Sequence, residues 1–143
     1  MTLTVVIPNW TSGLNELLFH QEKRYDPRTK RMRVYNTEKT TNERKIRSCL
    51  QKQGLSNVRL KTPIAIEYKI YAGDKKHDRM NLGSCLDKCF CDALQTMNIL
   101  KNDGWDDVVD LKFEFFLDRE NPRAEITIRE LKTTKTSTKK KGE

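Results

Sequence analysis

The sequence predicts an α+β domain: a mixed β-sheet with two helices on one face and a C-terminal β-hairpin. Three observations carry that reading. Apolar residues alternate with polar ones over residues 63–71, 108–117 and 123–130. An apolar stripe at helical spacing runs through 82–98. The order strand, helix, strand, helix, hairpin falls within 143 residues, a length that suits one domain. Residues 1–130 form that domain, and 131–143 form a basic disordered tail.

The elements follow in chain order. Residues 2–7 read as a strand, with Leu3, Val5 and Ile7 on one face. A polar loop follows Pro8, and Arg31 to Tyr35 form a short strand. Thr40 or Thr41 is positioned to cap a helix running to about Gln53, where Gly54 is a natural stop. Its apolar stripe is thin: Ile46, Cys49 and Leu50. Residues 63–71 put Ile64, Ile66, Tyr68 and Ile70 on one side of a strand. After the polar break AGDKKHDRMN, a helix from about Leu82 to Asn98 carries Leu82, Leu86, Cys89, Ala93 and Met97 on its core face. A turn at Lys101–Gly104 ends it. Val109, Leu111, Phe113, Phe115 and Leu117 then alternate with polar residues. Beyond the loop DRENP, Ala124, Ile126 and Ile128 do the same. The two segments read as a hairpin with a five-residue connection.

Composition narrows the function classes. Net charge is +8, from 28 Lys+Arg against 20 Asp+Glu. About half of it lies in the Thr/Lys tail, which holds five lysines and one glutamate. A second basic stretch holds Lys23, Arg24, Arg28, Lys30, Arg31 and Arg33, and Lys75, Lys76 and Arg79 add to it further along. Such patches attract polyanions, nucleic acid first. No apolar run spans a bilayer, and the first residues lack a signal-peptide pattern, so a cytoplasmic protein with no membrane partner is expected. Cys49, Cys85, Cys89 and Cys91 include no CxxC and read as buried thiols.

Candidate chemistry concentrates between Asp74 and Asp110. Asp78 precedes the second helix, and Asp103 lies in the turn after it, followed by Asp106, Asp107 and Asp110. Asp78 and Asp103 are far apart in sequence, yet the fold around a strand–helix–strand unit can bring the two loops together. Carboxylates gathered there would hold a hard divalent cation. Turn and cap chemistry accounts for the same residues without a metal. Lys88 lies on a polar stripe with Asn81, Ser84, Asp92 and Gln95, where it can neutralise charge on a phosphate or form a surface pair with Asp92.

These residues resemble the RusA-type Holliday junction resolvases. That family carries an Asp-x-Asp-Asn element after a strand, then a helix with a Lys and an Asp-Ala-Leu run, then a turn ending in Asp-Asp. Here the similar stretches are Asp78-Arg79-Met80-Asn81, Lys88, Asp92-Ala93-Leu94 and Asn102-Asp103. Ile7-Pro8 through Ser12 and Asn15 resemble the family's N-terminal strand and loop, and Asp107–Glu130 its closing hairpin. The resemblance spans 3–130 and is specific over 78–103.

It implies a homodimer that cuts four-way DNA junctions with Mg²⁺ or Mn²⁺ and uses no small-molecule substrate. It also implies a bacterial or phage setting in recombination, repair or phage DNA processing. Asp78 and Asp103 would be catalytic metal ligands, and Lys88 would act near the scissile phosphate. Lys23, Arg24, Arg28, Lys30, Arg31, Arg33, Lys75, Lys76 and Arg79 would contact DNA. Met80 stands where the family has its second metal-binding aspartate, and Asn102 replaces the first aspartate of the usual pair. In an extended loop, residues 78 and 80 point to the same side, so this site is short of one anionic ligand. Either Asp74, Asp106 or Asp107 fills the gap, or the domain binds branched DNA without cutting it. An unrelated basic interaction or RNA-binding protein is the third class, but the sequence has no aromatic-rich RNA-binding motif.

Overall fold

The computed structural model describes residues 1–10 and 21–132. Six strands and two helices follow in the order β1 (Thr2–Pro8), β2 (Gln21–Asp26), β3 (Arg31–Asn36), α1 (Thr37–Lys52), β4 (Ile64–Ala72), α2 (Arg79–Thr96), β5 (Val108–Leu117) and β6 (Arg123–Glu130). Strands β1, β6, β4 and β5 form one sheet in that spatial order, and β2 and β3 form a separate two-stranded ribbon. Only β4 and β5 run parallel, because α2 provides the crossover that a parallel pair needs.

Register explains the core. Val5, Ile126, Tyr68 and Phe113 line up across the four strands. Ile7, Ala124, Ile70 and Phe115 form the next row, and Leu3, Ile128, Ile66 and Leu111 the third. The three rows share one face, because side chains alternate along each strand. Within them, Val5, Ile7, Ile66, Tyr68, Ile70, Ala124, Ile126 and Ile128 are buried. Burying each large apolar side chain contributes about 1.5–3 kcal/mol. From the helices, Ile46 and Leu50 of α1 and Leu86, Cys89, Phe90 and Leu94 of α2 complete the core. On the other face, Thr4, Thr127, Glu67, Lys69 and Glu114 stay partly or fully exposed.

Gly83 sets how closely α2 approaches β5. A Cβ there would lie 3.0 Å from the Phe113 ring and 3.3 Å from that of Phe115. Any larger residue would push the helix off the aromatic row. Phe113 in turn stacks on Tyr68 with ring centroids 5.0 Å apart.

Several boundaries differ from expectation. Helix α1 begins at Thr37 rather than Thr40 or Thr41; its first turns carry no apolar stripe, so periodicity gave no signal there. Helix α2 begins at Arg79 rather than Leu82, ahead of its first core residue. The closing strands β5 and β6 are present but do not pair with each other. They flank β4, and the five-residue connection passes over its end, where the Asp118 N–H donates to the Ala72 carbonyl. Alternation within a strand does not name its neighbour. None of the four cysteines forms a disulfide, and Cys85, Cys89 and Cys91 are buried.

Candidate functional site

Two separate clefts that each hold two aspartates lie along α2. At its start, Asp78 is the N-cap. Its backbone is extended (φ −71°, ψ 163°), and its Oδ1 accepts the Asn81 N–H at 2.8 Å. Capping of this kind satisfies a helix N–H that has no partner within the helix. Asp78 also lines a cleft with Asp74, Lys75, His77, Arg79 and Phe115. The Asp74 carboxylate closes its own turn by accepting the Lys76 N–H at 2.9 Å.

Further along the helix, Asp87 and Cys91 of α2 line a second cleft with the turn residues Asp103 and Trp105 and the β5 residues Val109 and Leu111. Asp87 is held from below. The Tyr68 hydroxyl donates to its Oδ1 at 2.7 Å, and the Cys91 thiol donates at 3.5 Å. Burial pushes both the Tyr68 hydroxyl and the Cys91 thiol up, with the Asp87 charge adding to each and Asp103 adding a smaller push on Cys91. Both therefore remain neutral donors that orient the carboxylate. Tyr68→Phe is expected to cost about 1.5–3 kcal/mol, the range for a hydrogen bond to a charged group. A urea titration checks this, with unchanged stability counting against the role.

Asp78 and Asp103 line different clefts: Asp78 lies at the start of α2, whereas Asp103 shares its cleft with Asp87, midway along the helix, and with Cys91. Because β4 and β5 run parallel, the loop before the crossover helix and the turn after it lie at opposite ends of the sheet. Met80 does not pair with Asp78 as in an extended loop either. It sits in the first helical turn and is 53% exposed. Asp107 spends its carboxylate within its own turn, accepting the Gly104 N–H at 3.2 Å. Asp106 and Asp110 are exposed.

Lys88 is exposed on the turn of α2 that carries Asp87. Its expected surface partner Asp92 is bridged instead by Lys39 of α1 at 2.8 Å. Among the basic residues, Arg28, Lys30 and Arg31 are exposed at the tip of the β2–β3 ribbon. Asp26 shapes that tip, accepting the Arg28 N–H at its Oδ1 and the Lys30 N–H at its carbonyl. The backbones of Lys23, Arg24 and Arg33 lie in the same ribbon, with Arg24 opposite Arg33; their side chains lie outside the described residues. Lys75, Lys76 and Arg79 are exposed around the start of α2. Ser12, Asn15 and tail residues 133–143 also lie outside the described residues.

Sequence reasoning missed Asp87 and its clamp. The signal was there in part: Tyr68 is the one hydroxyl on the inward face of β4, and Asp87 and Cys91 are i,i+4 neighbours.

Among the described residues, no three His, Cys, Asp or Glu side chains gather as a cation cage. No helix among them is long and apolar enough to cross a membrane. No curated protein matches the chain. The family of endodeoxyribonuclease RusA, however, matches residues 20–129, a span that includes the ribbon, both helices, β4 to β6 and both acidic clefts. With about three quarters of its length matched, the chain belongs to the RusA endodeoxyribonuclease family.

Proposed function

We propose that the protein is a homodimeric, divalent-metal-dependent endonuclease that resolves four-way DNA junctions in recombination, repair or phage DNA processing. The family match over residues 20–129 carries this reading. The clefts suit the chemistry. Mg²⁺ is commonly held by one or two carboxylates, with waters and substrate phosphate completing its shell, so a full protein cage is not required. Asp87 and Asp103 offer such a pair in one cleft, and Asp74 and Asp78 in the other. A bound Mg²⁺ or Mn²⁺ would supply an activated water and stabilise charge on the scissile phosphate.

The remaining work falls to the chain's own side chains. Asp87, fixed by Tyr68 and Cys91, gives its cleft one carboxylate of set orientation. Lys88 is free to reach a phosphate oxygen from the adjacent helix position. Arg28, Lys30 and Arg31 at the ribbon tip, and Lys75, Lys76 and Arg79 at the start of α2, supply phosphate contacts. A two-stranded ribbon is narrow enough to enter a major groove.

The test is cleavage of a synthetic four-way junction across a metal series. Paired, metal-dependent cuts support the reading. Junction preference over linear duplex without cutting under any metal supports a second reading, a non-catalytic junction-binding dimer. The observation favouring that alternative is Met80, exposed and neutral where the family carries an aspartate. Binding gives a further prediction. Deleting 132–143 is expected to flatten the slope of log affinity against log salt, since each neutralised phosphate adds close to one unit, while junction preference stays. Equal slopes with and without the tail would show that it contacts no phosphate.

A further inference from the structure

The two clefts differ in what they offer a cation. Around Asp74 and Asp78 stand three basic side chains, Lys75, His77 and Arg79. Each carboxylate there also has one oxygen committed to a backbone N–H, Asp74 to that of Lys76 and Asp78 to that of Asn81. The cleft of Asp87 and Asp103 has no Lys, Arg or His among its described walls. Val108, Val109 and Leu111 form its apolar side, and apolar surroundings strengthen the pull between a charge and its counter-ion. The Asp87 carboxylate takes both of its hydrogen bonds on Oδ1, from the Tyr68 hydroxyl at 2.7 Å and the Cys91 thiol at 3.5 Å. Among the described residues its Oδ2 is uncommitted, as are both carboxylate oxygens of Asp103.

Asp87 also bears a fixed relation to the position that lacks an acid. Met80, Ser84, Asp87 and Cys91 follow one another at i, i+4, i+7 and i+11 of α2, the spacing of a single helix face. The anion missing at residue 80 is therefore present on the same face two turns later, about 10 Å further along the axis. We propose that Asp87 supplies the carboxylate that Met80 does not, so that the divalent cation is held in the Asp87–Asp103 cleft, with Tyr68 as the positioning residue of Asp87. Two carboxylates with water and phosphate oxygens around them suit a hard cation such as Mg²⁺ or Mn²⁺. The presence of a cation rests on the nuclease reading above; the choice of cleft rests on the walls and the hydrogen bonds. The Asp74–Asp78 cleft, short of an anion at Met80 and flanked by Lys75 and Arg79, is then the one that receives a DNA phosphate.

Tyr68 is built to hold a direction. The residue is fully buried on β4. Its ring stacks on Phe113 with centroids 5.0 Å apart and meets Phe90 edge-on at 6.0 Å. A hydroxyl on a ring packed from two sides cannot follow a moving carboxylate, so the carboxylate conforms to it. Because the hydroxyl and the Cys91 thiol both bond Oδ1, the other oxygen is left for a ligand. Hydrogen bonds to a metal-bound carboxylate fix its orientation, and losing one typically costs about 10–100-fold in metal affinity.

The test needs no DNA. Mn²⁺ is titrated calorimetrically into the wild-type protein and into Asp87→Asn, Tyr68→Phe and Asp110→Asn, with melting temperatures read alongside. Tyr68→Phe is expected to weaken Mn²⁺ binding about 10-fold, the low end of the range for removing a ligand's partner, and Asp87→Asn to weaken it further. Asp110→Asn removes the same charge from an exposed position outside the cleft and is expected to leave the affinity unchanged. Asparagine keeps an acceptor oxygen for the Tyr68 hydroxyl, so Asp87→Asn tests the ligand in a folded chain even where Tyr68→Phe lowers stability. Mn²⁺ is expected to raise the melting temperature of the wild type and not that of Asp87→Asn. Wild-type affinity in Asp87→Asn, equal losses in Asp87→Asn and Asp110→Asn, or no binding by the wild type at millimolar Mn²⁺ overturns the assignment. A Tyr68→Phe protein that melts lower yet binds Mn²⁺ as the wild type does overturns the positioning role. A wild-type protein that binds Mn²⁺ through Asp87 but cuts no junction sinks the nuclease reading and leaves the metal site standing.

Discussion

Asp103→Asn is expected to lower junction cleavage by at least ~10²-fold while leaving folding and junction binding intact. The carboxylate is exposed in the turn after α2, where its structural value is small. It shares a cleft with Asp87, and its charge contributes to raising the Cys91 thiol, which places it within electrostatic reach of that buried group. Removing it leaves Asp87 in place, still held by Tyr68 at 2.7 Å. The cleft therefore keeps its shape and loses one of its two anionic donors. Junction affinity stays the same or rises, because one charge repelling phosphate has gone. Cleavage by the variant at the wild-type rate, measured with metal in excess, removes Asp103 from the mechanism. A loss of cleavage accompanied by a lower melting temperature points to a structural effect, which its exposure argues against.

What the sequence made legible depended on the range of the signal. Alternation in IAIEYKIY located β4 and its buried face, since period two is a local property. Asp78 as a helix cap was readable for the same reason. Strand β2 was not readable, because QEKRYD has no apolar alternation and forms only by pairing with β3. The β5–β6 hairpin was the natural reading of two alternating strands joined by five residues. It fails because β4 is the most apolar strand and takes the centre, with Tyr68 between Phe113 and Ile126. The clefts were less legible. The order of residues puts Asp78 before α2 and Asp103 after it, but that these two positions line separate clefts depends on the parallel pairing of β4 and β5, which no local pattern reveals. Asp87 lay in plain view, yet its significance depends on a hydroxyl from another element nineteen residues away. The match to an endodeoxyribonuclease family was legible from Lys88, the Asp92-Ala93-Leu94 run and the flanking aspartates, since such motifs are also local.

Met80→Asp is expected to raise Mg²⁺-supported cleavage by roughly 10-fold, with no loss of stability. The structure removes the usual objection to adding a charge here. Met80 is 53% exposed, so the new carboxylate is not buried and carries no large desolvation cost. It also falls in the first turn of α2, where no acidic residue now stands. A carboxylate there interacts favourably with the helix dipole, worth about 0.3–1 kcal/mol. Side chains of a helix tilt toward its N-terminus, so an aspartate at 80 leans back toward the loop that carries Asp74 and Asp78. That would add a third carboxylate to a cleft whose Asp78 has one oxygen committed to capping Asn81. The gain should be larger with Mg²⁺ than with Mn²⁺, because Mn²⁺ binds generic ligand sets more tightly from the outset. Calorimetric titration of Mg²⁺ into the DNA-free variant gives a readout independent of cutting, and tighter binding than in the wild type is expected. Thermal unfolding shows whether the fold is kept. A variant as stable as the wild type that neither binds Mg²⁺ more tightly nor cuts faster would show that residue 80 faces away from the metal and that the start of α2 serves to contact DNA.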